Sequence, residues 1–506
     1  MSGRADELRS RRLPVGVFVV AGLVVVGLMI VAARYGFHRD EYYFVVSGQH
    51  PAIAAPDNPM LVPYLAAGWY ALVGGNLWLF RILPALAAGG YVIVGALIGR
   101  EFSSSRAHQV GAAAATALLG IVLATGHLFG TTIFDMLTTA AALWMLIRAL
   151  RSTPQRWAPW IGFGVLTGVA MEIKVLAALV MISCLAGILI VGPRRSLASR
   201  RPWVAAVIAA ALAAPNIIWQ ATNGWPELVL AHSIANGGSG SSTPRALLIP
   251  VTALEIGPMI CIVLAIGVVR LLRAPRRSEN GWVAVGFLIF LVLMLITGGK
   301  AYYPAAFYPA LLAVGAAPVL DWARARPWRR IFSGGLVAIS IVITVSLTLP
   351  VFPIGSALYQ IGTGPNPDMG ETIGWNGYVR TVETMTAAIP AGDRLNTIIL
   401  ASNYGEAGAL YLARAAAKHT STLPAVYSGH NDFWYFGPPS GSATDAIVVG
   451  DFSAAQLESW YTSCTLKARL QSPPGVDNSE AGAPVRWCTG RTQPWKQLWP
   501  KIKTLG

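Results

Sequence analysis

Charge is what this chain has least of. Only 12% of its 506 residues are Asp, Glu, Lys or Arg, while 54% are hydrophobic. A soluble domain carries about 25% charge, so an ordinary water-soluble fold is excluded. Acids are scarcer than bases, 23 against 38, which leaves a net charge of +15. That excess resembles a nucleic-acid signature, but the arginines sit in short segments between apolar runs, as in membrane proteins whose orientation they set. No nucleic-acid partner is therefore expected. Cysteine is limited to four residues. Cys184 and Cys261 lie inside apolar runs as packing residues. Cys464 and Cys488 lie in the polar tail, where a disulfide requires an oxidising compartment. No GxGxxG or P-loop is present, so no nucleotide is assigned. His50, His127 and His232 show no HExxH-type spacing, no Ser-His-Asp pattern can be assembled, and no internal repeat is found.

What is present is a series of apolar runs near the roughly 20 residues needed to cross a bilayer. They predict eleven helical spans, near 14–33, 77–99, 109–126, 132–150, 157–172, 174–192, 203–220, 250–272, 281–298, 303–319 and 331–350. Helices satisfy their own backbone hydrogen bonds in lipid, so the fold class is a polytopic α-helical membrane protein. Residues 60–75 read as a helix along the interface. The basic start, MSGRADELRSRRLP, also resembles a signal peptide, but the length of the first run and the many later ones favour a first span.

Alternate connections are rich in arginine: Arg100 and Arg106; Arg148, Arg151 and Arg156; Arg194, Arg195, Arg200 and Arg201; Arg270, Arg273, Arg276 and Arg277; Arg324, Arg326, Arg329 and Arg330. The positive-inside rule makes that set cytoplasmic. The N-terminus is then inside, and the first loop, 34–76, lies outside with the turn before Asp135, the Glu172–Lys174 turn, loop 221–249, the Lys300 turn and the tail. Acids of the membrane region gather on that outer side, apart from Asp6, Glu7, Glu101, Glu279 and Asp321. The domains read as 1–350, membrane-embedded, and 351–506, extracytoplasmic. In the tail, NTIILAS (396–402), PAVYS (424–428) and DAIVVG (445–450) look like buried strands. The helical patterns EAGALYLARAAAKH and SAAQLESWYTSC follow the first and last, which suggests a small α/β domain with a largely parallel sheet. Cys464 and Cys488 are able to pair there.

Arg34 to Asn58 gathers the polar chemistry. Asp40 and Glu41 stand beside Arg39 and two tyrosines, Tyr42 and Tyr43. A carboxylate so placed is a candidate general base with a neighbour to order it. Asp135 is a lone acid near the start of an apolar helix, costly unless paired or wet. Helix-dipole stabilisation is its bland explanation. Glu172 and Lys174 suit an internal pair as well as a ligand. Lys300, after two glycines and before Tyr302 and Tyr303, is a candidate phosphate site at headgroup level. The alternative there is a snorkelling lysine in an aromatic belt.

These residues resemble a known family. RDEYYF followed by DNPMLVPYLAAGWYALVGG is similar to the first outer loop of protein O-mannosyltransferase-like, GT-C type membrane glycosyltransferases of bacteria. IFDMLTTAAALWMLIRAL resembles their aspartate-bearing fourth span, and GVAMEIKVLAALVM their lysine-bearing helix. PNIIWQATNGWPEL, EIGPM, KAYYPAAFYPALLAVGA, SNYGEAGAL and SGHNDFWYFGP extend the likeness over nearly the whole chain. One departure is that Asp57-Asn58-Pro59-Met60 stands where an Asp-His-Pro-Pro stretch is usual.

The resemblance implies a GT-C-like fold in the bacterial cytoplasmic membrane and transfer of a sugar from a polyprenyl-phosphate donor at the outer face. The acceptor is a glycan, lipid or protein hydroxyl, and membrane lipids are further partners. It makes Asp40 the base, with Glu41 and Asp135 orienting substrates. Lys300, Tyr302 and Tyr303 would hold the donor phosphate, and Arg39, Tyr42, Tyr43 and Asp57 would contact substrate. No cofactor is required by the pattern. Carboxylates and His38 are ligand types for a divalent cation, but no spacing demands one. Two other function classes stand beside this one. A transporter or flippase predicts broken helices and midplane charges, and a non-catalytic scaffold predicts indifference to Asp40→Asn.

Overall fold

The computed structural model describes residues 12–152, 156–237, 243–273, 280–364, 366–417 and 421–506. Asp6, Glu7, Arg276, Arg277 and Glu279, and part of the basic start, lie outside the described residues. The chain is a multi-pass helical membrane protein that separates into two compact units. The first takes the described residues of Met1–Ala32, Arg81–Thr222 and Ala231–Leu349; the second takes those of Ala33–Phe80, Asn223–Leu230 and Pro350–Gly506. One boundary between the units falls between Leu349 and Pro350, and the first loop clusters with the tail rather than with the membrane helices.

In the first unit each expected span contains helix. Among the described residues, five helices, Leu77–Phe102, Thr131–Arg151, Arg200–Thr222, Tyr303–Arg324 and Pro327–Thr348, are long and apolar enough to cross a membrane. Counting each bent pair as one span gives seven. Val15–Val31, Trp157–Met171, Leu176–Val191 and Gly281–Thr297 are shorter apolar helices. Two expected spans are not single rods. The run 109–126 is Arg106–Ala117 plus Gly120–Gly126, bent by 62°, and 250–272 is Arg245–Ile256 plus Pro258–Arg273, bent by 103°. The second break falls at Gly257, whose φ of 96° no helix uses, immediately before Pro258. Hydrophobicity alone does not reveal such breaks, because both halves are equally apolar.

The second unit holds a five-stranded sheet: β1 (Thr397–Ala401), β2 (Val426–Ser428), β3 (Asp445–Val449), β4 (Tyr461–Arg469) and β5 (Pro484–Arg491). The order is β2-β1-β3-β5-β4. β1 runs parallel to β2 and β3, while β5 is antiparallel to β3 and β4. The sheet is thus mixed, where a largely parallel one was expected. The reason lies in SAAQLESWYTSC: its helix stops at Trp460, and Tyr461 begins β4. The β4–β5 hairpin pairs Cys464 with Cys488 directly across the strands, and the two form a disulfide.

Strand side chains alternate between two apolar cores. Ile399, Ile447, Val449 and Val485 pack with Trp375, Tyr378 and Leu410 on one face. Ile398, Leu400, Ala446 and Val448 pack with Trp460, Trp495 and Leu498 on the other. Covered on both faces, β1 and β3 read as continuous apolar runs, which is why the sequence revealed them. The loops after β1 and β2 emerge at the carboxyl ends of parallel strands, where α/β sheets place their polar crevices.

Candidate active site

In the second unit, helix Arg39–Gly48 begins with a capping box. His38 Nδ1 accepts from the Asp40 amide at 3.1 Å, and the Glu41 carboxylate accepts from the His38 amide at 2.8 Å. Glu41 is fully buried in this role. Its carboxylate satisfies an open donor of the first turn. The cap leaves Asp40 at the helix start with its side chain 43% exposed. One of its oxygens accepts from the Tyr404 hydroxyl at 2.8 Å.

Tyr404 opens helix Tyr404–Ala416, which follows β1 and is capped by Asn403 and Glu406. This helix packs closely on Arg39–Gly48. A Cβ at Gly408 would lie 2.9 Å from Tyr42 Cβ, so only glycine permits that approach. Burial, with the charge of Asp40, pushes the Tyr404 phenol well above its ordinary pKa, so it remains a donor.

The Tyr42 ring packs against Phe37 and Trp375 at the margin of the apolar core. Arg39 lies over the Tyr404 ring, 4.9 Å from its centroid. Its guanidinium donates to Ser479 at 2.9 Å and sits 3.7 Å from Glu371 and 3.8 Å from Glu480. Burial opposes its charge, but Tyr404, Glu480, Asp40 and Glu371 outweigh that and raise its pKa. Arg39 is thus an anchor joining the first loop to the tail within this unit.

Behind Asp40 lies a second polar layer. Tyr43 donates to Asp57 at 2.7 Å, and Asn58 donates to the same oxygen at 3.0 Å. The other Asp57 oxygen accepts from Asn431 at 3.1 Å. The Asp432 amide donates to the Tyr43 oxygen at 3.3 Å, and Ser47 donates to the Asp432 carboxylate. Burial raises Asp57 to about 6 and Asp432 to about 7, and their mutual repulsion adds to the rise at Asp432. Asn431, with a φ of 50°, occupies backbone space that non-glycine residues seldom use. Next to it His430 is lowered to about 4, chiefly by burial. Its two nitrogens meet the Tyr404 amide at 3.4 Å and the Gly506 carbonyl at 2.9 Å, so it is neutral there.

The first unit holds a separate cluster. Asp135 is buried in helix Thr131–Arg151 and accepts from Thr139, one turn on, at 2.8 Å. It also interacts electrostatically with Lys174. The Lys174 ammonium stands 5.1 Å from the Tyr302 ring centroid and 5.4 Å from that of Tyr303. Gly299 makes room for this arrangement, since a Cβ there would meet the Tyr303 ring at 3.1 Å. Lys300 is half-buried at the start of the same turn, and its carbonyl accepts from the Tyr303 amide at 3.1 Å. Lys174 therefore engages the two tyrosines. In the same unit Arg81 is buried and donates to the Ala32 carbonyl at 2.7 Å, with His127 at 3.3 Å.

Sequence reading missed Tyr404, Asn431, Asp432 and Arg81. The first three lie in SNYGEAGAL and SGHNDFWYFGP, segments noted only for likeness; no local spacing links them to the first loop. Arg81 stands alone in an apolar stretch, the one signal it offered. Among the described residues, no group of three or more His, Cys, Asp or Glu is arranged to hold a metal ion.

The architecture defines a membrane protein of the GT-C fold. Residues 57–219 match the model of the dolichyl-phosphate-mannose-protein mannosyltransferase family. The chain is similar to the apo crystal structure of ArnT from Cupriavidus metallidurans, with 14% identity and a TM-score of 0.60, over 93% of this chain and 97% of that one. The same ArnT bound to undecaprenyl phosphate aligns with 14% identity and a TM-score of 0.57, over the same shares. The arabinofuranosyltransferase AftD from Mycobacteria gives 14% identity and a TM-score of 0.50, over 95% of this chain and 40% of that one. No curated protein is a match. The resemblance read from the sequence segments is thereby borne out.

Proposed function

We propose that this chain is a membrane glycosyltransferase that moves a sugar from a polyprenyl-phosphate donor to an acceptor hydroxyl, with Asp40 as general base. The carrying observation is the state of its carboxylate. Asp40 is fixed by the Tyr404 hydroxyl at 2.8 Å yet 43% exposed, whereas Glu41 is a buried cap and Asp432 is buried behind it. A general base needs an oriented oxygen within reach of an incoming hydroxyl. Asp40 takes the acceptor proton as the acceptor oxygen bonds to the anomeric carbon. The bond from that carbon to the phosphate oxygen breaks, and the lipid phosphate leaves with the electron pair. A single displacement inverts the anomeric centre.

A phosphate leaving group needs cations or strong donors. Lys174 and Lys300, with the hydroxyls of Tyr302 and Tyr303, are assigned that task in the first unit. Asp135, itself held by Thr139, supplies an opposing charge for Lys174. Asp57, anchored by Tyr43 and Asn431, is assigned to the acceptor. ArnT bound to undecaprenyl phosphate supports a polyprenyl-phosphate ligand. The Cys464–Cys488 disulfide supports an extracytoplasmic tail, and with it transfer at the outer face of a bacterial cytoplasmic membrane and a cytoplasmic N-terminus. One observation favours the transport reading: the 103° break at Gly257 is the kind of broken helix transporters use.

One assay separates the two. The purified protein in lipid vesicles receives a radiolabelled polyprenyl-phosphate sugar and candidate glycan, lipid and protein acceptors. Label is expected in an acceptor, and Asp40→Asn should abolish it. Turnover that survives Asp40→Asn removes Asp40 as base. Movement of the donor across the bilayer without transfer establishes transport instead.

A further inference from the structure

We propose that the tail carries a second, non-catalytic binding site for an anionic saccharide, between helix Trp375–Ala388 and the β4–β5 hairpin. It is a cavity of about 550 Å³ lined by Arg380, Thr381, Thr384, Lys467 and Trp487, with Met385 at its base. That volume falls within the roughly 300–1,000 Å³ of small-ligand pockets. None of these residues belongs to the Asp40 cluster.

Three independent features point to a ligand. The first is the strand irregularity. The β4–β5 register shifts between Leu466 and Ala468, opposite Arg486 and Val485, so Lys467 is the extra residue of a bulge. Bulges re-aim a side chain at the cost of ladder pairing. Here the Lys467 ammonium comes to 5.7 Å from the centroid of the Trp487 ring. The second is the indole itself. Trp487 lines the cavity and offers an aromatic ring there as a stacking surface. The third is the lining. Arg380 and Thr384, four apart, are neighbours on an exposed helix face, and each is exposed.

The chemistry fits a sugar that carries a negative group. The aliphatic face of a pyranose stacks on an indole, and its hydroxyls pair with threonine hydroxyls. Arg380 and Lys467 supply two cations for a carboxylate or phosphate substituent. A neutral glycan would leave both cations unused. Such a site would retain an acidic envelope glycan beside the membrane independently of catalysis.

The test uses the full-length protein in lipid nanodiscs, carrying Asp40→Asn so that turnover does not intervene. Binding of three trisaccharides of equal length, one neutral, one bearing a uronate and one bearing a phosphate, is followed by calorimetry and by Trp fluorescence. One or both acidic sugars should bind saturably, about tenfold or more tighter than the neutral one. Whichever binds names the anion. Lys467→Ala and Arg380→Ala, both at exposed positions, should each weaken binding about tenfold. Trp487→Ala removes the stacking ring and should also weaken it. Three results would each overturn the proposal: no saturable binding, affinity unchanged in the Lys467→Ala/Arg380→Ala double variant, or equal affinity for inorganic phosphate alone. Sugar transfer in the Asp40 protein can fail or succeed without altering this outcome.

Discussion

The hydroxyl of Tyr404 donates to Asp40 across 2.8 Å, although the two residues are 364 positions apart. Because burial and the Asp40 charge hold that phenol protonated, it is a fixed donor to one carboxylate oxygen, while the other lies 4.0 Å from His38 Nδ1. Asp40→Asn keeps the shape but cannot take a proton, and turnover should fall by about 100- to 10,000-fold. Tyr404→Phe leaves the base but loses its orientation, and turnover should fall by about tenfold. Steady-state rates with labelled donor check both. An unchanged rate in Tyr404→Phe would show that Asp40 needs no such anchor.

Lys174 and Lys300 make distinct demands on the donor. Lys174 is held by Asp135 and the rings of Tyr302 and Tyr303. Replacing it should disturb all three, weakening donor binding and slowing chemistry together. Lys300→Ala removes a half-buried cation from the same turn and should weaken donor affinity by about tenfold while changing turnover less. Donor titration and saturating-rate measurements on both variants provide the comparison. Equal affinity in Lys300→Ala and the parent protein would remove Lys300 from the phosphate site.

The helical membrane fold was legible because apolar runs of membrane length have few other uses, and β1 and β3 were legible because they are buried on both faces. The break at Gly257 was hidden because apolar residues continue on either side of it. β4 was hidden because its exposed residues alternate weakly and follow directly on a helical pattern. At the site, Asp40 was readable as a carboxylate at a charged boundary. The capping role of Glu41 was not readable, because a dipeptide of acids does not reveal which one caps the helix, and position N3 decided it. Tyr404, Asn431 and Asp432 were unreadable because their partners are brought to them only by the packing of two helices and the ends of β1 and β2.

Asp432 should make stability depend on pH. Its carboxyl is raised to about 7 in the folded protein, largely by burial, against an ordinary value of 3.8. The folded state then holds a proton that the unfolded chain releases between about pH 4 and 7, so stability falls as pH rises through that window and levels off above it. Asp57, raised to about 6, acts in the same direction, while His430, lowered to about 4, opposes them below its ordinary value of 6.5. The single variant isolates the first effect. Asp432→Asn keeps the side-chain volume and removes the titration. Its melting temperature relative to the parent should therefore rise steadily from pH 4 to 7, each unit of pKa shift corresponding to about 1.4 kcal/mol. Parallel melting curves across that range would rule out a titrating Asp432.

The Cys464–Cys488 disulfide ties edge strand β4 to β5 across a separation of 24 residues. Closing a loop of that size restricts the unfolded chain by about 3 kcal/mol. Cys464→Ser with Cys488→Ser should lower the melting temperature of the tail, and reducing agent should lower that of the parent protein to the same level. Sugar transfer well below the melting point should be unchanged. Tyr404 is fixed by β1 and its following helix, and Asn431 and Asp432 by the loop after β2; none depends on β4. Parallel unfolding and transfer measurements separate the two effects. A loss of transfer before any loss of folded structure would mean that the hairpin positions the site rather than merely stabilising the domain around it.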